Sequence, residues 1–189
     1  MKTIQLDIYP FAELNAAAQE KTLNDHRFIN VDYRWWESVY EDANQIGLKI
    51  TGFGFETGYY CNAEFIQDAN FCVGKILDNH GEATATYQTT LSFWTKRDEI
   101  VANWPKDANN EYENAGDLDA ELDKAEDDFL TTIRWEYHSL LIQEYNYQTG
   151  DNAIIETFEA NDYHFTADGR LATRLEKLAN QLPQNQGQP

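Results

Sequence analysis

From Leu118 to about Tyr147 the apolar residues Leu118, Leu122, Ala125, Phe129, Ile133, Tyr137, Leu140 and Leu141 keep helical spacing. That spacing places them on one stripe of an α-helix. Thirty residues at ~1.5 Å each make a rod of about 45 Å, so any fold for this chain must accommodate one long helix. The first turns of the helix are acidic, which complements its dipole.

The other segments are shorter. Thr3 to Ile8 alternates with Ile4, Leu6 and Ile8 on one face and reads as a strand that Pro10 closes. Asn15 caps a helix running to about Arg27. Asp32 caps a second, whose buried stripe is Trp35, Val39, Ala43 and Ile46, with Gly47 as its left-handed C-terminal residue. Leu48 to Phe55 and Tyr60 to Gln67 read as paired strands, and Gly52, Gly54 and Gly58 point to a bulge and a turn. Asn70 caps a helix that stops at Gly81. Ala83 to Trp104 forms another, with Tyr87, Leu91, Trp94 and Ile100 inward, ended by Pro105.

Residues 106–116 read as a polar linker. Beyond the long helix, Asp151 caps a short helix to Ala160. Tyr163 to Phe165 is a strand, Ala167-Asp168-Gly169 a turn, and Leu171, Leu175, Leu178 and Leu182 a terminal helix. The expected class is α+β: a small antiparallel sheet of three or four strands with several helices. Residues 1–182 form a single domain with a flexible polar linker near 106–116, and residues 183–189 form a disordered tail.

The chain carries 33 acidic and 14 basic side chains, a net charge of −19 over 189 residues. Its 5 Trp, 11 Tyr and 10 Phe separate it from a disordered acidic tail. Such a surface repels nucleic acid and anionic membranes and attracts basic proteins. Cys61 and Cys72 suit neither a disulfide framework nor a zinc site, and read as free, partly buried thiols in a reducing compartment. The N-terminus meets Asp7 too early for a signal peptide, and no apolar run reaches the ~20 residues of a membrane span. A cytoplasmic location follows as the expectation.

Catalytic signatures are missing from the sequence. His26, His80, His138 and His164 make no metal spacing, and Asp78-Asn79-His80-Gly81-Glu82 reads as a helix end. Glu121-Leu122-Asp123-Lys124 lacks the acid-x-Lys arrangement of nucleases. Gly52, Gly54 and Gly58 lack the Lys-Ser/Thr of a phosphate loop. No cofactor or metal is expected, and no enzyme. Two features remain as candidate contact sites. On the long helix, Asp117, Glu121 and Asp128 share one strip, and Asp119, Asp123, Glu126 and Asp127 broaden it on neighbouring faces. Residues at i,i+4 lie ~6 Å apart, and one DNA strand places a phosphate every ~3.4 Å, so this strip can approximate nucleic-acid charge density. The plain alternative is a solvated face. Trp36 and Tyr40 are the second feature, either packed against a neighbour or exposed as contacts.

The segments Glu13-Leu14, Ala18-Gln19-Glu20-Lys21, Ile29-Asn30-Val31-Asp32 and Trp35-Trp36-Glu37-Ser38-Val39-Tyr40-Glu41-Asp42-Ala43, continuing through Ile46 to Phe53, resemble a family of phage and prophage proteins. Phe165-Thr166-Ala167-Asp168-Gly169-Arg170 is also similar. Some members of that family carry the label of antitoxin in a toxin–antitoxin stability system. The resemblance implies a mobile-element origin and a bacterial host cell. Joined to the charge, it leads to the expectation of an acidic inhibitor acting as a nucleic-acid mimic. Its partner is a basic, nucleic-acid-binding host protein of the restriction or CRISPR type. The alternatives are an antitoxin neutralising a partner toxin and a carboxylate- or metal-dependent hydrolase.

Overall fold

The computed structural model describes residues 7–55 and 58–172. In chain order it contains β1 (Ile8–Pro10), a 3-10 turn (Phe11–Glu13), α1 (Ala16–Asp25), α2 (Glu37–Gln45), β2 (Leu48–Gly54) and β3 (Tyr60–Phe65). There follow α3 (Ala69–Asn79), α4 (Ala85–Asn103), α5 (Ala115–Gln148), α6 (Asp151–Ala160) and β4 (His164–Thr166). The class is α+β. Among the described residues four strands form two separate antiparallel ladders, β1 with β4 and β2 with β3. Where the sequence reads as one domain, contacts divide the chain into two compact units. One joins Met1–Trp35 to Tyr145–Pro189, and the other is Trp36–Glu144. Among the described residues no helix is long and apolar enough to cross a membrane.

The first unit buries Phe11, Leu14, Ala18, Ile154, Phe158 and Phe165 together. The Phe158 ring meets Phe11 at 5.6 Å and Phe165 at 5.0 Å between centroids. Asn15 caps α1 as expected, its side chain accepting the Ala18 N–H at 3.0 Å. Among the described residues the first strand is Ile8–Pro10, and Asp7, which the alternation places in a strand, lies outside it. Pro10 ends it by pairing with His164, on a ladder edge where a missing N–H is tolerated. The expected residues Thr3 to Leu6 lie outside the described residues, as do Leu175, Leu178, Leu182 and the tail. Leu171, expected in that helix, bridges to Phe165 instead.

Gly169 (φ +79°) turns the chain after β4 where α1 comes close. A Cβ there would stand 2.6 Å from the Thr22 hydroxyl and 2.7 Å from the Ala18 carbonyl. Asp151 does not cap α6. Gly150 takes that position, and the Asp151 carboxylate receives the Arg27 guanidinium at 2.5 Å.

In the second unit α2 starts at Glu37 rather than after Asp32. The preceding residues stay in turns, and there the Asn30 side chain donates to the Gln148 and Ala153 carbonyls and accepts from the Thr157 hydroxyl. Trp35 therefore leaves the expected stripe and sets its ring 5.4 Å from Tyr145, within the first unit. Ala43 and Ile46 are buried as expected. The β2–β3 ladder carries its bulge between Ile50 and Gly52. Asp68, not Asn70, caps α3, accepting the Phe71 N–H at 2.8 Å, and His80 rather than Gly81 is its C-cap.

On α4 the buried face is Thr86, Thr90 and Phe93. The expected markers Leu91 and Trp94 are 41% and 39% exposed. Residues 106–116 form a tied turn inside the second unit, with Lys106 bridged to Tyr112 and Asp107 accepting the N–H groups of Asn109 and Glu111. Those N–H groups, Glu111 first, hold the Asp107 carboxyl below its usual range. The long helix α5 has 34 residues and buries Leu118, Ala125, Phe129, Ile133, Tyr137, His138 and Leu141.

Candidate functional site

All seven predicted acidic residues lie on the N-terminal half of α5, and the buried positions Leu118, Ala125 and Phe129 fix which way they face. At 100° per residue they divide into two ladders. Asp119, Asp123 and Asp127 follow one another at i,i+4 and are exposed, and they form no ion pair among the described residues. Asp117, Glu121 and Asp128 lie on the other flank, and Lys124 shares it. Asp128 accepts the Lys96 ammonium at 2.8 Å, and this bond holds its carboxyl below the usual range. The two flanks are thus unequal: Asp119, Asp123 and Asp127 are bare of ion pairs among the described residues, and Asp128 is paired.

Glu126 belongs to the bare flank and is half-buried. Burial raises its pKa, and Asp123, Asp68 and Asp127 add to the rise, while Arg97 opposes it. Asp68, the N-cap of α3, thus adds a carboxylate beside Glu126, and Arg97 a cation. Sequence reading could not place Asp68 there, because the proximity is tertiary.

Trp36 and Tyr40 are both half-buried. Their rings pack on Phe53 of β2, at 5.7 and 6.1 Å. Phe53 continues to Phe55, and Phe55 reaches the buried His138. This pair belongs to an internal aromatic cluster of the second unit. No protein-family model, curated protein or solved structure matches this chain.

A polar network missed by sequence reading runs through the second unit. Tyr137, fully buried, donates to Asp42 Oδ2 at 2.6 Å, and Asp42 Oδ1 lies 3.6 Å from His80 Nε2. His80 Nδ1 is 2.6 Å from the Thr86 hydroxyl. Nearby, Glu136 Oε1 accepts from the Thr89 hydroxyl at 2.5 Å, while its Oε2 is buried without a hydrogen-bond partner among the described residues. Its signal in sequence was only a carboxylate beside Tyr137 on the inward half of α5. Among the described residues no three His, Cys, Asp or Glu side chains converge as a metal-binding group. Cys61 and Cys72 are free and buried, and burial pushes their thiols up to about 11 and about 12.

Burial raises the Glu136 carboxyl above its ordinary 4.5, against the opposing Thr89 hydrogen bond and His80 charge. The folded chain therefore holds the proton more tightly than the unfolded chain. Its stabilising contribution is full below about pH 4.5 and is lost as pH rises through the raised value. Glu136→Gln, which cannot ionise, is expected to show a flatter stability curve between pH 4 and 7. Urea unfolding at several pH values checks this, and parallel curves for the two proteins would refute it.

Proposed function

We propose that this chain is an acidic, non-enzymatic binding protein that docks on a basic, nucleic-acid-binding host protein in place of phosphates. The observation that carries the reading is the bare ladder Asp119–Asp123–Asp127, exposed and unpaired among the described residues, with Glu126 and Asp68 beside it. From Asp117 to Asp128 the helix axis advances about 16 Å and carries seven of the predicted carboxylates, roughly one per 2–3 Å. Duplex DNA presents one charge per ~1.7 Å and each strand one per ~3.4 Å, so the densities are comparable. A helix also holds these charges in fixed relative positions, which favours a groove built for a stiff polyanion. The resemblance to phage and prophage proteins supports a host defence protein of the restriction or CRISPR type as the class of target.

Affinity capture from nuclease-treated bacterial lysate tests this reading. Washing at low salt and eluting along a salt gradient is expected to release a basic nucleic-acid-binding protein sharply as salt rises, because exposed charges are screened. Recovery of only salt-resistant or acidic partners would sink the proposal.

A further inference from the structure

At the C-terminal end of α6, wholly within the first unit, lies a cavity of about 240 Å³. Phe11 and Phe158 are its buried lining, and the half-buried Tyr163 lines it beside exposed Pro10 and Ala12. Two carboxylates complete the lining, Glu159 and Asp162, and both are exposed. Neither forms an ion pair or a side-chain hydrogen bond among the described residues, and no basic side chain lines the cavity.

The end of α6 is built against its own charge. The Tyr163 N–H reaches the Phe158 carbonyl at 2.9 Å and the Asp162 N–H the Glu159 carbonyl at 3.2 Å, the paired bonds of a Schellman turn. Asp162 holds the left-handed position of that turn at φ +52°, where glycine or asparagine is favoured. A helix C-terminus carries partial negative charge and favours cations. This one has no basic residue in its last turn and places Glu159 and Asp162 there instead. Two carboxylates and a dipole end therefore repel one another beside an apolar cavity. A cation between the carboxylates relieves that repulsion, and an apolar body attached to it covers the Phe11, Phe158 and Tyr163 rings.

We propose that this cavity binds a primary alkylammonium group, its charge at Glu159 and Asp162 and its alkyl chain against the three rings. A primary ammonium brings three N–H donors, enough to serve both carboxylates at once, whereas a quaternary ammonium brings none. Ligand pockets commonly measure about 300–1,000 Å³, so a cavity of this size suits a short chain. The group arrives on a free small amine or at the tip of a lysine side chain, and the recognition chemistry is the same. The inference is independent of the charge-docking reading, whose carboxylates all lie in the second unit.

The test follows backbone amide NMR signals of the full chain at fixed ionic strength while n-butylammonium chloride is added. Neutral 1-butanol is the control for size, and tetramethylammonium the control for charge without donors. Butylammonium is expected to shift Ala12, Glu159, Asp162 and Tyr163 with an affinity of about millimolar order, and each control to bind at least about tenfold more weakly. Nα-acetyl-lysine methylamide separates the two sources. Shifts matching those of butylammonium show that the cavity admits a lysine side chain, and silence assigns it to the free amine, with the alkylammonium site standing in either case.

Asp162→Asn and Glu159→Gln keep the turn and the helix and remove one charge each. Each is expected to weaken butylammonium about tenfold, while folding at least as stably as the wild type without amine, because a like charge leaves the dipole end. Ala12→Phe, at an exposed lining position, fills the cavity and is expected to abolish the shifts. Unchanged affinity in both charge variants would overturn the proposal. So would equal binding of 1-butanol or tetramethylammonium, or shifts spread over Asp117 to Asp128 without preference for the cavity, which would mark mere counter-ion behaviour.

Discussion

Reversing Asp119, Asp123 and Asp127 together to Lys is expected to weaken binding of the basic partner about a hundredfold at low salt, roughly 2.7 kcal/mol. Three reversals add six charges, taking the chain from −19 to −13. Net charge alone does not set the effect, and a second triple variant shows why. Reversing Asp117, Glu121 and Asp128 makes the same change in net charge, on the flank where Lys96 and Lys124 already reduce the field. There the expected loss is smaller, about tenfold. Salt titrations of both variants measure the difference. If both lose the same affinity, docking follows overall charge and the bare ladder has no special part. If neither loses any while folding normally, the site assignment is wrong.

Phe129→Ala is expected to cost about 3–5 kcal/mol of the second unit's stability. The ring is 2% exposed, stacked on Phe93 at 4.5 Å and on Phe65 of β3 at 6.0 Å. Removing it leaves a cavity where α5 meets both neighbours, so lost contacts add to lost transfer free energy. Urea unfolding should show a lower midpoint with an unchanged slope. Leu140→Ala on the same helix, 36% exposed, should cost far less. A loss below about 1 kcal/mol for Phe129 would mean that the ring stack does not hold α5 in place.

The sequence made α5 legible because its period is long enough to be unambiguous, and the observed Ala115–Gln148 extends the expected run by only a few residues. The β2–β3 bulge and the Asn15 cap were legible for a similar reason, each being local chemistry. The face of α4 was not. Hydropathy points Leu91 and Trp94 inward, yet Thr90 is buried at no polar cost because its hydroxyl bonds the Thr86 carbonyl at 2.8 Å. Threonine can thus act as a core residue in a way that composition hides. The division into two ladders was equally hidden, since β1 finds β4 across most of the chain. For the candidate site, the run of carboxylates is plain in the sequence. Which of them are neutralised is not, because Lys96 and Asp128 are 32 residues apart and Asp68 reaches Glu126 only through the fold.

The pairing of β1 with β4 also sets an order of events during synthesis. Pro10 and His164 are partners, so the 153 residues between them must be made first. At about 5–20 residues per second the N-terminal strand waits roughly 8–30 s for its mate. Residues 36–144, the whole of the second unit, leave the ribosome within that interval. Their contacts can form while the first unit is still half-made. The waiting strand is only three residues long and ends in proline, which leaves a nascent neighbour little edge to pair with wrongly.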